Sequence, residues 1–175
     1  PANAPVILSP DWQGEAPSPC PPVVTERAGV DLNPLDPLAD RLRLMSYIWP
    51  DQPERLARTD AAATLAAQFP GLVARRDAVE WLKTRLASPR PGHVHLVFHT
   101  VAWQYFPVEA QTRGEALFAA AGAKATSDAP LARLAMEADS TADGAAVTLT
   151  LWPGGQTHLI ARADFHGRWV RWLGV

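Results

Sequence analysis

Apolar and polar positions follow two different periods along this chain, and the change of period marks the predicted elements. Leu38, Leu42, Met45 and Ile48 recur at the spacing of one helix face. Residues 93–100 instead form a short apolar run, which is typical of a strand buried on both faces of a sheet. The same criteria predict further helices over 53–68, 78–86 and 107–122, and strands over 29–31, 72–76, 131–136, 147–151, 158–163 and 168–172.

The order of these elements predicts the fold class. Strands and helices alternate over the middle of the chain, which favours a mostly parallel, doubly wound α/β sheet flanked by helices. Towards the end, strands follow one another across short turns, which predicts an antiparallel edge hairpin on that sheet. We therefore predict a single domain over residues 1–175. Its parts are an irregular proline-rich lead-in over 1–22, an alternating core over 23–139 and antiparallel strands over 145–173.

Composition and charge narrow the function classes. The net charge of −2 without a Lys/Arg cluster argues against nucleic-acid binding by phosphate neutralisation. Cys20 is the single cysteine, which excludes an internal disulfide and a cysteine-rich metal site and fits a cytoplasmic location. No apolar run approaches the ~20 residues needed to span a bilayer, so we expect no membrane partner. Because the sequence begins at Pro1 and not at methionine, we also expect that a preceding segment has been removed.

Asp31 and Asp77 are the first candidate site residues, because each follows a short predicted strand. Asn33 precedes a proline, so the backbone there is expected to turn. Open α/β sheets bind ligands at the carboxyl ends of their strands, where a carboxylate accepts hydrogen bonds from ribose hydroxyls. Asp77 is then expected to contact an adenine amino group. The alternative, that both carboxylates only cap the turn or helix after them, stays open.

The histidines are the second group of candidates. His95 and His99 share one strand face but lie roughly 13 Å apart at ~3.3 Å per residue, so one ion cannot bind both, and we predict no metal site. His99 and Thr100 end the central strand, which makes them candidates for a general base or a substrate contact. A histidine that is simply hydrogen-bonded beneath a loop is the alternative. A hydrolase that uses His99, Glu137 and His166 is a further hypothesis.

Several familiar catalytic and phosphate-binding motifs are missing from the sequence. It contains no Gly-x-Ser-x-Gly elbow, which argues against serine hydrolysis of the α/β-hydrolase type. It also contains neither a P-loop nor a Gly-x-Gly-x-x-Gly loop ahead of Asp31.

Six segments carry a resemblance to a known family. They are residues 29–36 (GVDLNPLD), 47–55 (YIWPDQPER), 77–82 (DAVEWL), 97–100 (VFHT), 152–155 (WPGG) and 166–169 (HGRW). From about Val23 onward the chain resembles the bacterial family called domain of unknown function 2332. It looks like the carboxyl-terminal half of such a protein, starting after a glycine-containing motif similar to the first motif of S-adenosylmethionine-dependent methyltransferases.

The resemblance implies a Rossmann-like, N-terminally truncated fold of methyltransferase type with S-adenosylmethionine as cofactor. Asp31 with Asn33 is then expected to bind the ribose. Asp77 and Ala78 would hold the adenine, and His99 and Thr100 would stand where methyl-acceptor chemistry is usually placed. The leading hypothesis is a fragment of such a methyltransferase-like domain. A non-catalytic binding or interaction module with the same fold is the alternative.

A truncated sheet also predicts an exposed apolar edge beside the strand of Asp31, and such edges recruit partners. We expect either a homodimer through this edge or its replacement by the segment over residues 1–24.

Overall fold

The computed structural model describes residues 4–174 of the chain. The contacts group the described residues into two compact units, and the single domain stays a prediction. Unit 1 holds Pro22–Ala78 with the described part of Pro1–Ser9, and unit 2 holds Pro10–Pro21 with the described part of Val79–Val175. Each unit is described by itself. Among the described residues, no helix combines the length and the apolar character needed to cross a membrane.

The helices and strands follow the chain in a mixed α/β order. The strands are β1 (Asp11–Gln13), β2 (Gly29–Asp31), β3 (Val73–Arg75), β4 (His95–Thr100), β5 (Leu131–Glu137), β6 (Ala145–Trp152), β7 (Gln156–Ala163) and β8 (Trp169–Trp172). The helices are α1 (Arg41–Ser46), α2 (Pro53–Ala66), α3 (Ala78–Arg85) and α4 (Val108–Gly122), with a short 3-10 helix over Trp103–Tyr105.

Unit 1 is a two-stranded parallel sheet whose strands are connected through α1 and α2. The strands β2 and β3 pair in parallel, with Asp31 opposite Arg75. The helix predicted from residue 38 begins later, at Arg41, because Asp36 Oδ1 accepts the N–H groups of Leu38 and Ala39 at 2.9 and 2.7 Å. Asp36 thus satisfies the first amides of this segment in a turn.

Unit 2 contains a six-stranded sheet in the order β1-β8-β7-β6-β5-β4. The pairs β4/β5 and β1/β8 are parallel. The pairs β5/β6, β6/β7 and β7/β8 are antiparallel. The antiparallel strands predicted over 145–173 are therefore present, but they make up most of the sheet instead of its edge.

The prediction of a mostly parallel sheet is wrong for this unit, and the fold is coarsely a mixed α/β one. The reason lies in the connections. A parallel connection needs a crossover of about a dozen residues or more. Only residues 138–144 connect β5 to β6, and the turns before β7 and β8 are shorter still, so each strand folds back on its neighbour.

The described part of the lead-in does not form a strand beside the strand of Asp31, which was one of the two expectations for residues 1–24. Asp11–Gln13 forms β1, which pairs with β8 and places Trp12 opposite Val170. This segment therefore extends the edge of the unit 2 sheet opposite to β4, whereas β2 pairs with β3 alone among the described strands.

The core of unit 2 lies on one face of its sheet. Its buried cluster consists of Leu82 on α3, Leu86 just after α3, Phe118 on α4 and Leu131 on β5. Trp152 stacks on Phe118 with ring centroids 6.3 Å apart. Both helices therefore cover the sheet face to which the odd-numbered residues of β4 and β5 point.

Candidate functional site

In unit 1 an open pocket of about 430 Å³ lies at the carboxyl end of β2. Its lining residues are Asp31, Asn33, Pro34, Leu35, Arg43, Tyr47 and Val73. The strand β2 delivers Asp31, and the turn that the following proline requires brings Asn33 beside it. Two of the residues predicted to bind a cofactor therefore line one pocket.

The polar groups of this pocket are partly committed to local contacts. Asp31 Oδ1 accepts the backbone N–H of Asn33 at 2.7 Å, which closes a turn of the Asx type. Arg43 Nε donates to the Tyr47 hydroxyl at 2.9 Å, and this hydrogen bond raises the pKa of Arg43. The pocket thus presents a carboxylate, a guanidinium and a phenol at the end of a parallel strand.

Asp77 and Ala78, the other two predicted cofactor-binding residues, follow β3. Asp77 is exposed, and Ala78 is the first residue of α3. Neither is among the residues that line the pocket. Their predicted role stays a prediction.

In unit 2 the end of β4 carries a network of four side chains. His99 Nδ1 and Glu137 Oε1 are 2.7 Å apart. Arg133 Nε donates to His99 Nε2 at 3.1 Å, and Arg133 Nη1 donates to both carboxylate oxygens of Glu115 at 2.8 and 2.7 Å. Because Arg133 can only donate, His99 Nε2 accepts, and Nδ1 carries the proton that is donated to Glu137.

Glu137 also organises the loop that follows β4. Its Oε1 accepts the backbone N–H groups of Ala102 and Trp103 at 3.1 and 3.0 Å, and its Oε2 accepts that of Gln104 at 3.3 Å. Val101, at the start of this loop, has a φ of +49°, a left-handed conformation that is strained for a β-branched residue. The three amide contacts and the histidine contact together hold the backbone in this shape.

The charges in the network are set by burial and by the partners. Burial lowers the pKa of His99, Glu137 opposes this shift, and Arg133 adds to it, so the imidazole is neutral near pH 7. Burial alone would raise the pKa of Glu137, but the hydrogen bonds from His99 and the loop amides outweigh it and lower that pKa. The side chains of His99 and Glu137 are only 13% and 15% exposed.

Aromatic rings enclose the same network. Trp103 stacks on His99 with centroids 5.2 Å apart, and the Arg133 guanidinium lies 4.5 Å from the ring centroids of both Trp103 and Phe118. A guanidinium that lies over two aromatic rings is held by cation–π attraction as well as by its ion pair. The His99 ring therefore has contacts to Trp103, Arg133 and Glu137.

This geometry defines what His99 can do chemically. Both of its ring nitrogens are engaged, so it can take a proton from a substrate only after Arg133 releases Nε2. Thr100, the last residue of β4, is exposed. The catalytic roles predicted for His99 and Thr100 stay predictions, and the contacts observed for His99 are those of a residue that positions a loop.

Sequence reasoning identified His99 and Glu137 but missed Arg133 and Glu115. A signal for Arg133 was available. It has the same parity as Leu131 and Glu137 on β5 and therefore points to the helix-covered face, where an unpaired charge is costly. Glu115, from α4, had no such signal, since it is half exposed and lies 18 residues earlier in the chain.

The hydrolase hypothesis also named His166. This residue lies in the turn after β7, where Asp164 accepts the N–H groups of His166 and Arg168 at 2.9 and 3.2 Å. A side-chain hydrogen bond from Arg168 lowers the pKa of the buried Asp164. The strand β7 lies two strand spacings from β5 and three from β4, or roughly 10 and 14 Å at ~4.8 Å per strand, so His166 is separated from both strands that carry the His99 network.

The part of the chain that the structure describes contains no group of three or more His, Cys, Asp or Glu side chains arranged to hold a metal ion. His99 and Glu137 do meet, but Arg133 donates to His99, and three backbone amides donate to Glu137.

Comparisons with known proteins extend the resemblance seen from Val23 onward. No curated protein and no solved structure matches the chain. A family model does match, and it covers residues 1–172, which is nearly the whole length and includes the proline-rich lead-in. The chain therefore belongs to the bacterial family described as "Uncharacterized protein conserved in bacteria (DUF2332)".

Proposed function

We propose that this chain binds a nucleoside-type small molecule in the pocket of unit 1. The observation that carries the proposal is the convergence of Asp31 and Asn33 with Arg43 and Tyr47 around a space of about 430 Å³. A volume of this size lies in the range of small-molecule sites, roughly 300–1,000 Å³. The position at the carboxyl end of a parallel strand is where α/β sheets generally bind ligands.

The donor and acceptor groups of the pocket favour this ligand class. Asp31 uses Oδ1 for the Asn33 amide, and among the described residues its Oδ2 has no hydrogen-bond partner. A carboxylate oxygen in that position accepts from a vicinal diol, as on a ribose. Arg43 uses Nε for Tyr47, which leaves its terminal N–H groups for a carboxylate or phosphate on the same ligand.

S-adenosylmethionine is the first ligand to test, because it combines a ribose with a carboxylate tail. The resemblance to methyltransferases supports this choice, and so does the parallel pair β2/β3 with an acidic residue at its carboxyl end. We propose the Rossmann-like assignment for unit 1 on the same grounds. We propose binding without methyl transfer, because the residues predicted for methyl-acceptor chemistry, His99 and Thr100, belong to unit 2 and not to this pocket.

Calorimetric titration tests the proposal with S-adenosylhomocysteine, adenosine and inorganic phosphate as separate probes. We expect S-adenosylhomocysteine to bind more tightly than adenosine, and phosphate to bind weakly. Asp31→Asn keeps an oxygen for the Asn33 amide but removes the charged acceptor, so we expect an affinity loss of about 10- to 100-fold for both nucleosides.

Asp51→Asn is the matched control, because Asp51 is an exposed carboxylate of the same unit that does not line the pocket. We expect it to bind as the wild type does. Nucleoside binding that Asp31→Asn leaves unchanged would move the site elsewhere, and the absence of heat with both nucleosides would refute the proposal.

A further inference from the structure

The strand β4 ends the six-stranded sheet of unit 2, and its outer edge is unpaired among the described strands. The amide of His95 donates to Pro130 at 2.9 Å and that of Val101 to Met136 at 2.8 Å, so odd-numbered residues face β5. In a parallel strand the groups that face one neighbour alternate with those that face the other. The N–H and C=O groups of Leu96, Phe98 and Thr100 therefore point to the open edge.

This edge lacks the features by which proteins usually protect an edge strand. From His93 to Phe106 the sequence contains no Lys, Arg, Asp, Glu or Pro. Charged side chains, prolines and bulges are the common protections against strand pairing. Two of the three side chains on the uncovered face are apolar and exposed, Leu96 at 51% and Phe98 at 70%, and the third is Thr100. An edge of this kind pairs readily with another strand.

We propose that two copies of this chain pair through β4 in antiparallel orientation, with Phe98 on the two-fold axis. In such a pairing Phe98 lies opposite Phe98 of the second copy, and Leu96 lies opposite Thr100. The two-fold axis thus places each of the three edge-facing residues opposite an edge-facing residue of the other copy. About six hydrogen bonds then satisfy every outward N–H and C=O group of both strands. With the two-fold axis at any other residue of β4, at least one of these three residues has no edge-facing residue opposite it.

The side chains agree with this register. Directly opposite residues of a hydrogen-bonded pair have Cα atoms about 5.5 Å apart, which brings the two Phe98 rings into contact on the uncovered face. Because neither copy carries a charge along the edge, the two identical strands meet without like-charge repulsion. The interface is small for a specific complex, so the dimer is expected to dissociate on dilution.

Sedimentation velocity of the 175-residue chain over roughly a hundredfold concentration range tests the proposal. We expect a reversible monomer–dimer equilibrium for the wild type. Phe98→Lys and Phe98→Glu each place two like charges across the axis, and each variant is expected to be monomeric at every concentration. An equimolar mixture of the two variants pairs opposite charges at the same point and is expected to dimerise again.

Leu159→Lys is the matched control, because Leu159 is another exposed apolar residue of the same sheet, at 43%, on the interior strand β7. It is expected to dimerise as the wild type does. Far-UV circular dichroism of each variant checks that the sheet is intact. Because the Phe98 side chain is exposed and its backbone groups do not bond to β5, its substitution is expected to leave the β4/β5 pairing unchanged.

Three results would overturn the proposal. The first is a wild-type protein that is monomeric at every concentration. Slow amide exchange at residues 96, 98 and 100 of such a monomer would show that another segment of the same chain pairs with the edge of β4. The second is a dimer that persists in Phe98→Lys. The third is a charge-swapped mixture that stays monomeric, which would exclude Phe98 from the axis.

Discussion

Replacing Glu137 by glutamine tests whether the carboxylate at the end of β5 holds the loop after β4. The substitution keeps the size of the side chain and one acceptor oxygen, but it removes the charge. It also replaces Oε2 by an amide nitrogen, which then faces the donating N–H of Gln104. We expect Glu137→Gln to destabilise unit 2 more than any neutralisation of an exposed carboxylate does.

The magnitude follows from the four donors that converge on this carboxylate. A hydrogen bond to a charged group contributes about 1.5–3 kcal/mol and one to a neutral group about 0.5–1.5 kcal/mol. Neutralisation thus costs about 1 kcal/mol at His99, and the weakened loop amides add about 1 kcal/mol more. We expect Glu137→Gln to lower the free energy of unfolding by about 2 kcal/mol in total.

Urea unfolding followed by tryptophan fluorescence and circular dichroism measures this loss, since Trp103 stacks on His99. With a slope of about 2 kcal/mol/M, a loss of this size lowers the midpoint by about 1 M. Glu115→Gln is the matched control. It makes the same chemical change in the same network at a carboxylate that is 53% exposed, and it is expected to cost less than about 1 kcal/mol. Equal losses in the two variants would refute the role given to Glu137.

Two further predictions concern the same unit. Burial lowers the pKa of His99 below its ordinary value of 6.5, so the unfolded chain binds a proton at higher pH than the folded one. Stability is therefore expected to fall as pH decreases from 6.5 towards the lowered pKa. His99→Asn removes this group, so its melting temperature should change less between pH 7.5 and pH 5 than that of the wild type. An equal pH dependence in the two proteins would contradict the lowered pKa of His99. Gly114→Ala improves helix propensity but directs its Cβ into the indole of Trp103. We therefore expect urea unfolding to show a free energy of unfolding lower by about 1–3 kcal/mol. A higher free energy of unfolding would show that the Trp103 ring moves aside freely.

Local patterns determined most of the secondary structure and part of the candidate pocket. Local signals located α2, α4 and β4, since such signals depend only on residues close in the chain. The strand β4 is not buried on both faces, as its apolar run predicted, because it lies at the edge of the sheet with one face exposed. The acidic residue before Asn33-Pro34 predicted a polar strand end, and Asp31 and Asn33 do line the pocket of unit 1. Arg43 and Tyr47 joined them only through the packing of α1, which no local pattern specifies.

Strand direction and the environment of His99 were decided by the tertiary structure. The sequence alternation suggested a parallel sheet, but the short connections after β5 and β7 required antiparallel neighbours. His99 contacts Glu137 and Arg133, which lie 38 and 34 residues away in the chain. Pairings of that range depend on which strands become neighbours, and neighbour choice is a property of the whole folded sheet. For that reason the sequence alone marked His99 as a candidate base, and only the folded chain showed both of its nitrogens engaged.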